Sequence, residues 1–232
     1  MSERSERTMS THRYPASDRE AIYRVIAERR DMRHFAGGEV DPETLQRLLA
    51  AAHRAPSVGM MQPWRFCRIT DVRLRSSIGE LVREETERTA EALGERGAEF
   101  SRLKVEGIAD CAELLVVALT EDRERHIFGR RTMPQMDLAS ASCAIQNLWL
   151  AARAEGLGMG WVSLFDPERL AELLGFPVGA EPIAVLCLGP VDEFYARPML
   201  EETGWTTALP LDELLAENGW PADGVPTTTP SA

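Results

Sequence analysis

Apolar positions along the chain follow two periods. At helical spacing they recur as Ala21, Ile22, Val25 and Ile26, as Leu45, Leu48, Leu49 and Ala52, and as Leu138, Ala141, Ala144, Ile145, Leu148 and Trp149. Short, strongly apolar stretches over 113–120 and 182–188 have the pattern of buried strands, and 159–164 reads as a further short strand. Residues 65–70 add a further strand, running out of the Gln62-Pro63-Trp64 turn. Helix ends are marked by polar caps and breakers. Ser17 with Glu20 reads as a capping box, Asp41-Pro42 and Asp166-Pro167 as starts, and Asp137 as the cap of a long helix running to Gly156. Pro56 closes the second helix, and Gly175 with Pro177 closes the one after Asp166.

Between the first strand and the next lies a charged helical stretch over 72–93. Gly94 and Gly97 interrupt it, and a short helical piece is predicted over 100–106. Its polarity suits either a lid over a site or an ordinary solvent-facing helix. Residues 121–136 read as a loop, and a last short helix is predicted over 211–217. The helix from Asp137 is apolar nearly all round, so it is central or lies in a subunit interface. The order is α+β or layered α/β, with too few βα units for a barrel. Gly156-Leu157-Gly158-Met159-Gly160 is rich in glycine but follows a helix and precedes a strand, the reverse of a dinucleotide fingerprint. Residues 1–16 are expected to be a flexible arm, 17–220 one domain and 221–232 a disordered tail.

Charge narrows the partners. With 26 Lys and Arg against 37 Asp and Glu, the formal net charge of −11 repels nucleic acid and anionic membranes. An anionic small molecule in a local arginine pocket remains compatible with it. Cys67, Cys111, Cys143 and Cys187 form no CxxC pair and sit in largely apolar stretches, as free thiols of a reducing compartment do. No metal spacing is present, and no apolar run has the form of a signal peptide or the length to span a bilayer, so a cytoplasmic location is expected.

Three segments carry candidate chemistry. Arg29-Arg30-Asp31-Met32-Arg33 sets three planar cations around one carboxylate, either a phosphate clamp or a solvated helix end. Residues 55–64 combine Ser57, Gly59, Met60, Gln62 and Trp64, a mixture that suits a flat polar heterocycle or a proline-stiffened turn. Gly160-Trp161-Val162-Ser163 offers backbone donors beside a hydroxyl. Ser163 lacks the context of a nucleophile elbow and reads as a hydrogen-bonding group. His12, His34, His53 and His126 show neither triad nor metal spacing.

Together these segments resemble the flavin-dependent nitroreductase fold family, and within it the flavin-fragmenting branch, the 5,6-dimethylbenzimidazole synthases. The matching pieces are RRDMR at 29–33, APSVGMMQPW at 55–64, SRLKVEGI at 101–108, GRRTMPQMDLAS at 129–140 and CAIQNLWLAARAEGLGMGWVSLF at 143–165. The resemblance implies a three-layer α+β fold around a mostly antiparallel sheet and an intertwined homodimer with FMN at the subunit interface. It implies that Arg29, Arg30 and Arg33 hold the phosphate and ribityl chain, and that Ser57 and Met60 belong to the cofactor loop. Gly160, Trp161 and Val162 would line the isoalloxazine ring, and a lid near 90–108 would bring Leu103 and Lys104. Asp31 is implied as the acid/base and Ser163 as the group that orients the oxygen chemistry. The implied reaction is O2-dependent fragmentation of reduced FMN to 5,6-dimethylbenzimidazole and erythrose 4-phosphate for the lower ligand of cobalamin, without metal. A separate NAD(P)H-dependent flavin reductase would supply FMNH2. The competing expectations are an FMN-dependent nitroreductase or quinone reductase using NAD(P)H, and a non-catalytic flavin-binding protein. Where the family often carries a basic residue after the tail tryptophan, Trp205 is followed here by Thr206-Thr207-Ala208.

Overall fold

The computed structural model describes residues 12–220. Four strands form one antiparallel sheet in the order β1-β2-β4-β3, with β1 Trp64–Arg68, β2 Glu113–Leu119, β3 Gly158–Val162 and β4 Glu181–Gly189. The two central strands are the apolar runs: every residue of β2 is buried, and β4 is buried from Ala184 to Gly189. Alternation along them divides the core in two. Leu115, Val117 and Leu119 of β2 with Ala184, Leu186 and Leu188 of β4 face one side, while Leu114, Val116, Val185 and Cys187 face the other.

Helices cover both faces, giving the three-layer α+β arrangement. On the first face lie α2 (Pro42–His53) and α5 (Met136–Ala154), through Leu45, Leu48, Ala144, Ile145 and Leu148. On the second lie α3 (Val72–Ala92) and α6 (Pro167–Leu174), through Ile78, Leu81, Val82 and Leu170. The remaining helices are α1 (Ala16–Glu28), the single turn α4 (Gly97–Phe100) and the single turn α7 (Met199–Glu202). Asp41 and Asp166 cap as expected, each accepting backbone N–H bonds of 2.9–3.2 Å ahead of a proline in the first turn.

Several expectations are corrected. Ser17 does not cap α1; Pro15 precedes that helix, and the Ser17 hydroxyl donates to Asp18 instead. Asp137 does not cap α5 either. It lies buried inside the first turn, where Arg123 and Arg130 bond Oδ2 at 2.9 and 2.8 Å while Oδ1 accepts the Leu138 N–H at 2.6 Å. The piece expected over 100–106 is displaced: the helical turn is α4, set against α3 because Gly97 has no Cβ to strike the Ala90 carbonyl, and 101–106 is not helical. The last helix shrinks to one 3-10 turn, Leu211–Glu213. Residues 1–11 of the expected arm and the whole of 221–232 lie outside the described residues.

Candidate functional site

The site begins where the chain leaves α1. Arg29 ends the helix, and Asp31 runs beside Met159 of β3 as a short parallel bridge, with Met32 N donating to Met159 O at 2.9 Å. Such closeness needs Gly160, since any Cβ there would collide with the Met32 carbonyl. Trp149 of α5 braces the segment from below. Its indole N–H donates to Arg30 O at 3.1 Å, and the Arg29 guanidinium stacks 4.6 Å from its ring.

This backbone geometry fixes Asp31. Trp161 N donates to its Oδ1 at 3.0 Å, and Arg33 Nη2 donates to its Oδ2 at 2.6 Å. Arg33, 8% exposed, is held in turn by the Trp161 carbonyl at 2.8 Å and by its own backbone N–H donating to the Tyr195 hydroxyl at 3.2 Å. Its Nη1 is buried without a partner. Burial pushes the Asp31 carboxyl above the usual range; Arg33, the Trp161 N–H and Arg29 pull against that shift without cancelling it. A carboxyl raised in this way and held on both oxygens is a candidate for accepting and returning a proton.

Asp31 and Arg33 open onto a cavity of about 200 Å³ shared with Trp161, Val162 and Ser163. Phe100, Leu103 and Val105 wall it on one side and Met199, Leu200 and Trp205 on another. A second hollow of about 150 Å³ continues past Asp31 to Arg29 and Arg30. Apolar walls beside a cationic end suit a flat ring carrying a phosphorylated chain.

A scan against family models matches residues 26–190 to the nitroreductase family. The chain belongs to that family. Over 202 residues it is 40% identical to the 5,6-dimethylbenzimidazole synthase of Rhodospirillum rubrum, covering 85% of this chain and 94% of the other. It is 36% identical over 204 residues to the synthase of Rhodobacter capsulatus, at 86% and 97% coverage. Among solved structures, the BluB-like flavoprotein from Clostridium difficile superposes with a TM-score of 0.65 at 19% identity, covering 84% of this chain and 97% of that one. Membership of the nitroreductase family supports an FMN-related oxidoreductase activity.

The fold gathers Asp31, Arg33, Leu103, Trp161, Val162 and Ser163 around one cavity and sets Arg29 and Arg30 beside the next. Others stand apart. Arg30 spends its donors on the carbonyls of Ala27, Arg29, Tyr195 and Ala196 at 2.8–3.1 Å, so it pins the C-terminal segment to α1. Ser57 accepts the Gln62 N–H at 3.0 Å and stabilises its own loop. Met60, 82% exposed at φ 51°, and Lys104, ion-paired to Asp110 at 2.9 Å, do not line the cavity. Gly160 acts through backbone packing. Sequence reasoning missed Phe100, Met199, Leu200 and Tyr195; isolated apolar residues in polar segments give no period to detect. Among the described residues there is no cluster of His, Cys, Asp or Glu able to hold a metal, and no helix long and apolar enough to cross a membrane.

Proposed function

We propose that this family member is a 5,6-dimethylbenzimidazole synthase: with O2 it fragments reduced FMN to 5,6-dimethylbenzimidazole and erythrose 4-phosphate, for the lower ligand of cobalamin. One observation carries the reading. Asp31 is tied on both oxygens, raised in pKa, and set at the mouth of a cavity whose other polar groups are Arg33 and Ser163. Similarity to two synthases across nearly their full lengths supports it.

Reduced FMN, when bound, supplies the electrons for O2 and the carbon skeleton of the product. The chain's own residues do the rest. Arg29 holds the phosphate end, and Arg33 fixes the carboxyl of Asp31. Asp31 takes and returns a proton beside the ribityl chain. Ser163 donates a hydrogen bond on the side where oxygen reacts. Trp161, Val162, Leu103 and Phe100 exclude water that would divert reactive species. Two copies would complete the site. Ile22, Tyr23 and Ile26 of α1 are at least half exposed, as are Met60 and Phe128 beside the 55–62 loop. An uncovered apolar helix face of this kind fits an intertwined homodimer. A separate flavin reductase would deliver FMNH2.

The test is purified protein supplied with chemically reduced FMN and oxygen, with 5,6-dimethylbenzimidazole quantified by mass spectrometry. Protein-dependent product is expected. Intact FMN after oxidation would instead favour a recycling nitroreductase, and tight binding without turnover a flavin-binding protein.

A further inference from the structure

The cavity beside Asp31 is covered by two segments distant in sequence: the stretch after α3, through Phe100, Leu103 and Val105, and the C-terminal stretch, through Met199, Leu200 and Trp205. Arg96 joins them. Its guanidinium lies 3.7 Å from the centre of the Trp205 ring, and its Nη2 donates to the Trp205 carbonyl at 3.1 Å. Glu99 fixes it from the edge through Nε at 3.0 Å, and Phe100 packs against the same tryptophan with ring centres 6.1 Å apart. The remaining nitrogen, Nη1, is buried without a partner. The stack and the bond to the Trp205 carbonyl thus tie one guanidinium to one residue, while Glu99 sets its orientation.

Glycines set the path of the covering segment at both ends. Gly94, at φ +56°, and Gly97, against the Ala90 carbonyl, turn it back on α3. At the far end Gly107 packs where a Cβ would stand 2.5 Å from the Phe35 ring and 2.9 Å from Arg33 O. Between them α4 is one turn, too short to hold itself. We infer that Arg96 is a positioning residue whose stack on Trp205 latches these two covers together and sets how fast a flavin enters and leaves the cavity. This rests on the flavin reading above. A ligand consumed at each turnover must be exchanged at each turnover, yet sealed from water in between. A reversible, non-covalent latch meets both needs.

Stopped-flow fluorescence of FMN binding to the full-length protein tests this, comparing the native chain with R96A, R96K, W205A, E99Q and the R96A/W205A double variant. R96A and W205A should release FMN at least about tenfold faster without slower association, because loosening a cover opens the path both ways. The double variant should release it no faster than either single one, as for two halves of one contact. R96K, which keeps the charge but loses the plane, and E99Q should fall between; they remain informative if R96A does not fold. Release from R96A, or from R96K and E99Q in that case, at the native rate would overturn the latch alone. A native chain that binds neither FMN nor, under nitrogen, reduced FMN would overturn the flavin reading and the latch with it.

Discussion

Asp31 and Trp161 stand 130 residues apart and are joined by one hydrogen bond, the Trp161 N–H donating to Asp31 Oδ1 at 3.0 Å. That bond couples the exit of α1 to β3, and Arg33 doubles it by reaching both Asp31 Oδ2 and the Trp161 carbonyl. The Asp31 carboxyl is therefore held by one backbone N–H and one guanidinium, and a substitution that keeps the Oδ1 acceptor keeps the backbone half of that frame.

Asp31→Asn retains the Oδ1 acceptor for Trp161 and removes the exchangeable proton. Formation of 5,6-dimethylbenzimidazole should fall by about 10²–10⁴, the usual worth of a positioned acid/base, while binding of reduced FMN under nitrogen changes little. Parallel single-turnover and anaerobic titration measurements separate the two, and equal losses in both would sink the assigned role.

The same substitution should alter the pH dependence of stability. Burial raises the Asp31 pKa in the folded chain above its unfolded value, so between those two values the native state holds more protons than the unfolded one. Asp31's contribution is then fully present below the unfolded pKa and is lost as pH rises through the folded one. Melting curves at several pH values should show Asp31→Asn gaining on the native chain from acid towards neutral pH. A constant offset would mean that the carboxyl is not shifted.

Gly160→Ala should be costly for a steric reason unrelated to conformational freedom, since the new methyl meets the Met32 carbonyl and lies 3.0 Å from Arg33 Nη1. Overpacking of this kind costs about 1–3 kcal/mol. Urea unfolding should show that loss, and the displaced Arg33 should weaken flavin binding as well.

Asp137 and its two arginines offer a test of the loop that carries the 129–140 motif. Asp137→Ala leaves Arg123 and Arg130 facing each other without their shared anion, and both are largely buried. A loss of about 3–5 kcal/mol is expected, as when one partner of a buried ion pair is removed. Denaturant unfolding measures it, and a loss below about 1 kcal/mol would mean that the carboxylate is dispensable.

Periodicity and caps in the sequence account for much of this fold. The runs that became β2 and β4 were continuous, and Asp41-Pro42 and Asp166-Pro167 are unambiguous starts because proline fits the first helical turn and the aspartate side chain reaches back to free N–H groups. Asp137 and Ser17 look alike as caps, but whether a carboxylate caps or pairs depends on arginines that only tertiary structure delivers. The site was legible where it is continuous in sequence, at 29–33 and 160–163. One half of its cover was expected near 90–108; its contact with the C-terminal half was not, because Arg96 meets Trp205 across 109 residues and no local pattern pairs them.

The arginines of 29–33 look equivalent in sequence and are not in the structure, which yields a discriminating prediction. Arg29 stacks on Trp149 beside the hollow next to Asp31, whereas Arg30 has its nitrogens on four backbone carbonyls, two of them in the C-terminal segment. Arg33 is committed to Asp31 and Trp161. On the proposed reading the phosphate falls to Arg29. Arg29→Ala should weaken FMN by about 1.5–3 kcal/mol, the worth of a charged hydrogen bond, and leave riboflavin, which has no phosphate, nearly unchanged. Arg30→Ala should weaken both ligands alike by freeing the segment that carries Tyr195 and leads to Met199. Calorimetric titration of both flavins against both variants reads the difference directly, and a phosphate-specific loss in Arg30→Ala with none in Arg29→Ala would reverse the assignment.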